Sequence, residues 1–230
     1  MKQMKNFKIG VAVLAVVSAL ATSLTSCSKE DGIYSHPGPN ALVTIKTTDS
    51  GVTYFQLDEK TTLEPKGWVN PYKREVRALL RYSEDQEASS MFTKKVKVEW
   101  QDSVRTKNAV VYDEEYGKKN NVSIALYKDW ITCCEDGYLT LHFAILVGQG
   151  GRIVHTIDLA VDHETHDLYL RHDNNGDDGY APAEGVIAFK IDDLLKDVKD
   201  GQELTLHWKD YDGDKTAKVK YLSRFTLPEK

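Results

Sequence analysis

From Ala41 onward, apolar and polar residues alternate with a period of two rather than 3.6, which predicts strands. Val43, Ile45 and Thr47 fall on one face; Leu42, Thr44 and Lys46 fall on the other. Thr48-Asp49-Ser50-Gly51 turns the chain into Val52–Leu57, and Thr61–Leu63 follows a second turn. Pro65, Gly67 and Pro71 mark a loop carrying Trp68. Val76–Tyr82, then Lys95–Trp100 with Val96, Val98 and Trp100 on one face, then Ser103–Val111 complete a first series. Five or so short strands of this kind predict a small closed barrel or sandwich over residues 41–113.

Asp113–Asn121 breaks the alternation and predicts a boundary. A second series, residues 120–227, holds seven or eight strands with regularly spaced turns, as a β-sandwich requires. Asp192–Lys196 is the single helical turn it suggests, and Asp212-Gly213 is a hairpin signal. The class is therefore all-β, with two units. One register follows from the pattern. Ile157, Leu159 and Val161 share a face with Leu168 and Leu170 only if 161 opposes 168, 159 opposes 170 and 157 opposes 172. That register sets His155 diagonal to His172 on the buried face.

The N-terminus differs in kind. Lys2, Lys5 and Lys8 precede the short apolar run Ile9–Leu20, which ends in Leu24-Thr25-Ser26-Cys27. This is a secretory leader over residues 1–26, and its end resembles a bacterial lipobox, with Cys27 as the lipidated first residue. Residues 27–40, with Pro37, Gly38 and Pro39, read as a tether. Ser28-Lys29-Glu30-Asp31 resembles the surface-export signal of Bacteroidota lipoproteins. The expected location is the outer membrane of the cell envelope, facing outward, held by lipid. Losing the three leader lysines takes the net charge from −5 to −8, which argues against a nucleic-acid partner. The remaining thiols, Cys133 and Cys134, are adjacent, so ordinary bridge geometry excludes a disulfide between them.

Several motifs taken in order resemble one known family. They are Leu57–Pro65 (LDEKTTLEP), Asn70-Pro71-Tyr72, Gly137–Leu141, His155–Leu159 (HTIDL), Leu168–His172 followed by Asn175-Gly176-Asp177, Gly185–Phe189, and Lys209–Gly213. Their order and spacing resemble the NigD-like lipoproteins across essentially the whole mature chain. The resemblance implies an OB-type barrel followed by a β-sandwich, and a role in bacteriocin immunity. The chain departs from the family at Asp173 and Asn174, where Asn usually follows Arg-His.

Candidate chemistry centres on His172–Glu184 (HDNNGDDGYAPAE). Counted from Asp173, an EF-hand would place ligands at Asp173, Asn175, Asp177 and Glu184, but position 6 is Asp178 instead of Gly and the flanks are strands. The stretch reads as a turn closing a hairpin, with an irregular calcium site on Asp173, Asn175, Asp177 and Asp178 as the alternative. His155, His163, His166 and His172 allow a zinc reading, against satisfied core histidines. No nucleophile elbow, zincin helix or phosphate loop is present, so an enzyme is not expected. The expected role is binding of a protein or peptide partner. The alternative is a glycan, with Trp68, Tyr72 and Trp130 as its platform and His155 and His172 as further binding candidates.

Overall fold

The structure, a computed structural model, describes residues 38–227. The leader, Cys27 and the tether up to Pro37 lie outside the described residues. Five strands close into a barrel: β1 (Ala41–Thr47), β2 (Thr53–Gln56), β3 (Thr62–Pro65), β4 (Val76–Glu84) and β5 (Lys94–Ser103). Their spatial order is β1-β2-β3-β5-β4, with β3 and β5 parallel and a bulge at Arg81/Tyr82 where β4 meets β5. Ala41, Val43, Ile45, Phe55, Leu63, Leu80 and Val96 fill its interior.

Then come β6 (Arg105–Asn108), β7 (Val110–Val111), the one-turn helix α1 (Glu114–Lys118), β8 (Ala125–Leu126), β9 (Cys133–Glu135) and β10 (Tyr138–Val147). β11 (Thr156–Val161), β12 (Leu168–Asp173), β13 (Ala181–Lys190), a 3₁₀ turn at Asp192–Leu194, β14 (Glu203–Asp210) and β15 (Gly213–Lys220) follow. These strands form a sandwich. One sheet runs β6-β13-β10-β8, with β9 also on β10; the other runs β15-β14-β12-β11-β7. The inward set includes Leu139, Leu141, Ile145, Leu159, Leu170, Ile187 and Phe189. β11 and β12 pair in the expected register, Val161 opposite Leu168 and Ile157 opposite His172.

The expected single strand over Ser103–Val111 is corrected. β5 ends at Ser103, β6 pairs parallel with β13, and β7 pairs parallel with β11. The chain therefore leaves the barrel at Val104, and residues 105–111 are sandwich edge strands; the expected boundary at Asp113–Asn121 holds α1. Asp113 caps that helix by accepting from the Tyr116 amide.

The two units share an interface. Every residue of β1 up to Lys46 is buried, because its odd face fills the barrel and its even face meets the sandwich. Leu42, Val104, Tyr138 and Ala188 form an apolar patch between them. The β9–β10 turn, Asp136-Gly137, has φ values of 52° and 77°, the left-handed pair of a two-residue hairpin. That turn drives Asp136 against Lys46, with Nζ to Oδ1 at 2.6 Å and side chains 6% and 1% exposed. Arg77, also buried, reaches Glu135 at 2.9 Å and Thr44 at 3.0 Å.

Candidate functional site

At one end of the sandwich two connections meet: 148–155 between β10 and β11, and 174–180 between β12 and β13. Asn175-Gly176, both at positive φ, make the second connection fold back tightly. Asn174 closes the turn: its carbonyl accepts from the Asp177 amide at 3.0 Å, and its side-chain amide donates to the Asp177 carbonyl at 2.6 Å. The turn is stitched to the first connection by Asn175 Nδ2, which donates to the Val154 carbonyl at 2.6 Å.

This geometry turns Asp177 inward. Its Oδ2 accepts from the Gly148 amide at 2.6 Å and meets His155 Nε2 at 2.9 Å. His155 Nδ1 meets His172 Nε2 at 2.9 Å, and His172 Nδ1 meets the Ser123 carbonyl at 2.9 Å. All three side chains are buried. A Cβ on Gly148 would lie 1.9 Å from Asp177 Oδ1, so only glycine fits there.

The Ser123 carbonyl only accepts, so His172 Nδ1 carries a proton. The Gly148 amide, followed by His155, holds the Asp177 carboxyl below the usual carboxylate range. Burial lowers the His172 pKa, which keeps that ring as the acceptor of the His155 N–H.

Beside it lies an open slot of about 280 Å³ between the two sheets. Phe143, Ile145, Val154, Ile157 and Val186 line it, with His155 in its wall and Arg105 at its rim. Arg105 is exposed and forms no ion pair among the described residues. Lys107, also at the rim, is engaged: it donates to the Ile157 carbonyl at 2.9 Å and pairs with Asp158.

The candidates from the sequence fall out as follows. His155 and His172 are brought together as the register implied. The four oxygen candidates do not gather about one point. Asp173 accepts from Asn120 and from the Asn175 amide, Asn175 is spent on Val154, and Asp177 faces His155. Asp178 lies on the Gly148 side. Among the described residues no three carboxylate, imidazole or thiol side chains converge to hold a metal. His163 and His166 lie in the loop at the far end of the β11–β12 hairpin from His155, so the four histidines form no cluster. Trp68 packs edge-on against Phe55 with ring centroids 5.0 Å apart, and Tyr72 hydrogen-bonds Gln101, so both belong to the barrel. Trp130 is 52% exposed. Burial raises both thiols, Cys133 to about 12, which leaves them protonated.

Sequence reasoning missed two features. Arg105 lay in a segment assigned to the barrel. On the outer face of the first sheet, Tyr127 stacks on His142 with centroids 4.4 Å apart. His142 Nδ1 meets Asp129 at 2.6 Å, and Tyr127 donates to Glu184 at 2.6 Å. The alternation of His142 and Ala144 with the inward Leu141 and Ile145 was the available signal for that face.

Comparison with known proteins agrees with this architecture. The NigD-like N-terminal OB domain matches residues 42–104, and the NigD-like C-terminal beta sandwich domain matches residues 102–221. A protein described as toxin-related from Parabacteroides distasonis has 23% identity and a TM-score of 0.65, over 79% of this chain and 92% of its own. A NigD-like immunity protein from Bacteroides caccae has 19% identity and a TM-score of 0.51, over 81% and 94%. A protein described as a lipoprotein from Bacteroides fragilis has 13% identity and a TM-score of 0.55, over 79% and 97%. At these identities the likeness is one of fold. No curated protein matches the chain.

Proposed function

The chain belongs to the NigD-like family, and from that premise we propose that it is a lipid-anchored envelope protein that binds a protein partner at the loop end of its sandwich, as an immunity protein would. Binding, not catalysis, is its mode of action. The observation that carries this reading is the slot between the sheets. It joins an apolar floor to an uncommitted cation, Arg105, and sits on loops held rigid by the Asp177–His155–His172 chain. Pre-formed apolar recesses with a few placed polar groups are what binding sites use. Cys27 supplies the membrane attachment, and the acylated chain is exported to the outer surface of the outer membrane. The test is expression of the full chain in a bacteriocin-sensitive Bacteroides strain. Protection that is lost in Arg105→Glu and in Cys27→Ala supports the reading; no protection against any bacteriocin of a panel from related strains overturns it.

One observation favours a glycan as the second reading. Exposed Trp130 follows Asp129, which bonds His142 of the Tyr127–His142 pair, and Tyr127 bonds Glu184; aromatic faces flanked by carboxylates suit sugar rings. Retardation on a polysaccharide affinity gel that disappears in Trp130→Ala would select this reading over the first.

A further inference from the structure

We propose that the partner binds by adding a β-strand to the free edge of β13 at Pro182–Val186, with apolar side chains entering the slot and an acidic residue meeting Arg105. This deepens the reading of the loop end as a protein-binding site. β13 has ten residues paired without interruption to β10, but β6 covers only Ile187–Lys190 on its other side. Among the described residues, no strand pairs with that side of Ala181–Val186.

The backbone direction on this edge can be worked out. The Ala109 amide donates to the Lys190 carbonyl on the β6 side, so even-numbered residues of β13 turn their backbone groups that way. The strand period of two, unbroken in the β10–β13 register, carries this back to Val186, Glu184 and Pro182. Pro182 has no N–H to donate to β10, in keeping with a proline whose nitrogen faces a sheet edge. The Glu184 N–H and C=O and the Pro182 C=O are thus offered to solvent as an unfilled ladder.

Two other edges are guarded. β15 carries Lys215, Lys218 and Lys220 along its length, a guard against strand pairing. The facing edge of β11 is occupied by Lys107, which takes the Ile157 carbonyl. The β13 edge has no lysine between Ala181 and Val186. It opens onto the slot, and Arg105 stands where an added strand would run into the start of β6. Main-chain bonds to such an edge give affinity, and pockets for alternate side chains give selectivity. The occupant this geometry fits is an extended segment with small apolar residues at alternate positions and an acidic end.

A capped peptide, Asp-Thr-Val-Thr-Val-Thr-Val-Asp, tests this on the soluble chain lacking the leader. It offers an acid to Arg105 in either direction. With peptide at about ten times its Kd, amide exchange at Glu184 is expected to slow by about tenfold. Glu184→Pro, which removes the donor, should abolish binding, while Glu184→Gln, which keeps it, should bind as the parent does. Arg105→Glu should weaken binding by about tenfold or more and remove its salt dependence. No protection of the Glu184 amide at millimolar peptide, or unchanged binding in Glu184→Pro or Arg105→Glu, overturns the proposal. The assay needs no toxin, so its failure is separable from that of the protection experiment.

Discussion

His172 shows how one buried ring sets the pH range of a loop. With its Nδ1 proton on the Ser123 carbonyl, it accepts from His155 only through a neutral Nε2. Burial holds its pKa below the usual histidine value, so the closed state resists the extra proton that an opened state takes readily. The titratable groups facing it are His155 and Asp173. By linkage, stability is complete above the unfolded histidine pKa, about 6.5. It falls as pH drops through the lower folded value, because the opened chain binds more protons there. Amide exchange in residues 174–180 is therefore expected to accelerate relative to the barrel strands as pH falls below about 6.5. In His172→Gln that pH step should vanish, and a step that survives the substitution would assign the effect elsewhere. The His155–His172 half of this assembly was legible in the sequence, since a period of two and one register place the two rings. Asp177 was not. As letters, it is one of several turn acids, and only the Asn175-Gly176 backbone aims it inward.

At the scale of elements, the β11–β12 hairpin was readable because one slip in register would expose a whole apolar face. β6 and β7 were not, because strands of four and two residues that pair in parallel with distant partners leave no local signature. The helix α1 is too short to show a period. The connection from β10 to β11 depends on a single small residue. Gly148 gives its amide to Asp177 and leaves no room for a methyl group. Gly148→Ala is expected to force Asp177 out of its seat and to cost about 1–3 kcal/mol, the usual scale for overpacking. Urea titration measures the loss. Faster exchange confined to residues 174–180 would show that the loop gives way first. The same substitution should leave the barrel strands unaffected, since the barrel meets β10 at Tyr138, the opposite end of that strand.

For the whole molecule, the decisive contact is the one that joins barrel to sandwich. The sequence pattern implied two separate interiors, yet the even face of β1 is buried against the second unit, and Lys46 and Asp136 meet there almost wholly out of water. Asp136 Oδ1 also accepts from the Phe225 amide, and Lys46 donates to the Phe225 carbonyl, so the C-terminal segment is tied to the same point. The position constrains its own substitution, because Asp136 sits at positive φ, where Asn is the side chain best tolerated. Asp136→Asn thus keeps the turn and the hydrogen bond but leaves the ammonium unpaired, and is expected to cost about 3–5 kcal/mol. Burial already lowers the Lys46 pKa against the pull of Asp136, and with that pull gone the folded chain holds the proton less tightly still. The sign follows: the unfolded chain binds the lysine proton better, so the variant should regain stability as pH rises toward about 10.4, the ordinary lysine value. Lys46→Met combined with Asp136→Asn removes the charge altogether and should recover most of the loss at pH 7. If the double variant is no more stable than Asp136→Asn alone in urea titration, the cost lies in the turn rather than in the buried charge, and the barrel and sandwich are joined by their apolar patch of Leu42, Val104, Tyr138 and Ala188.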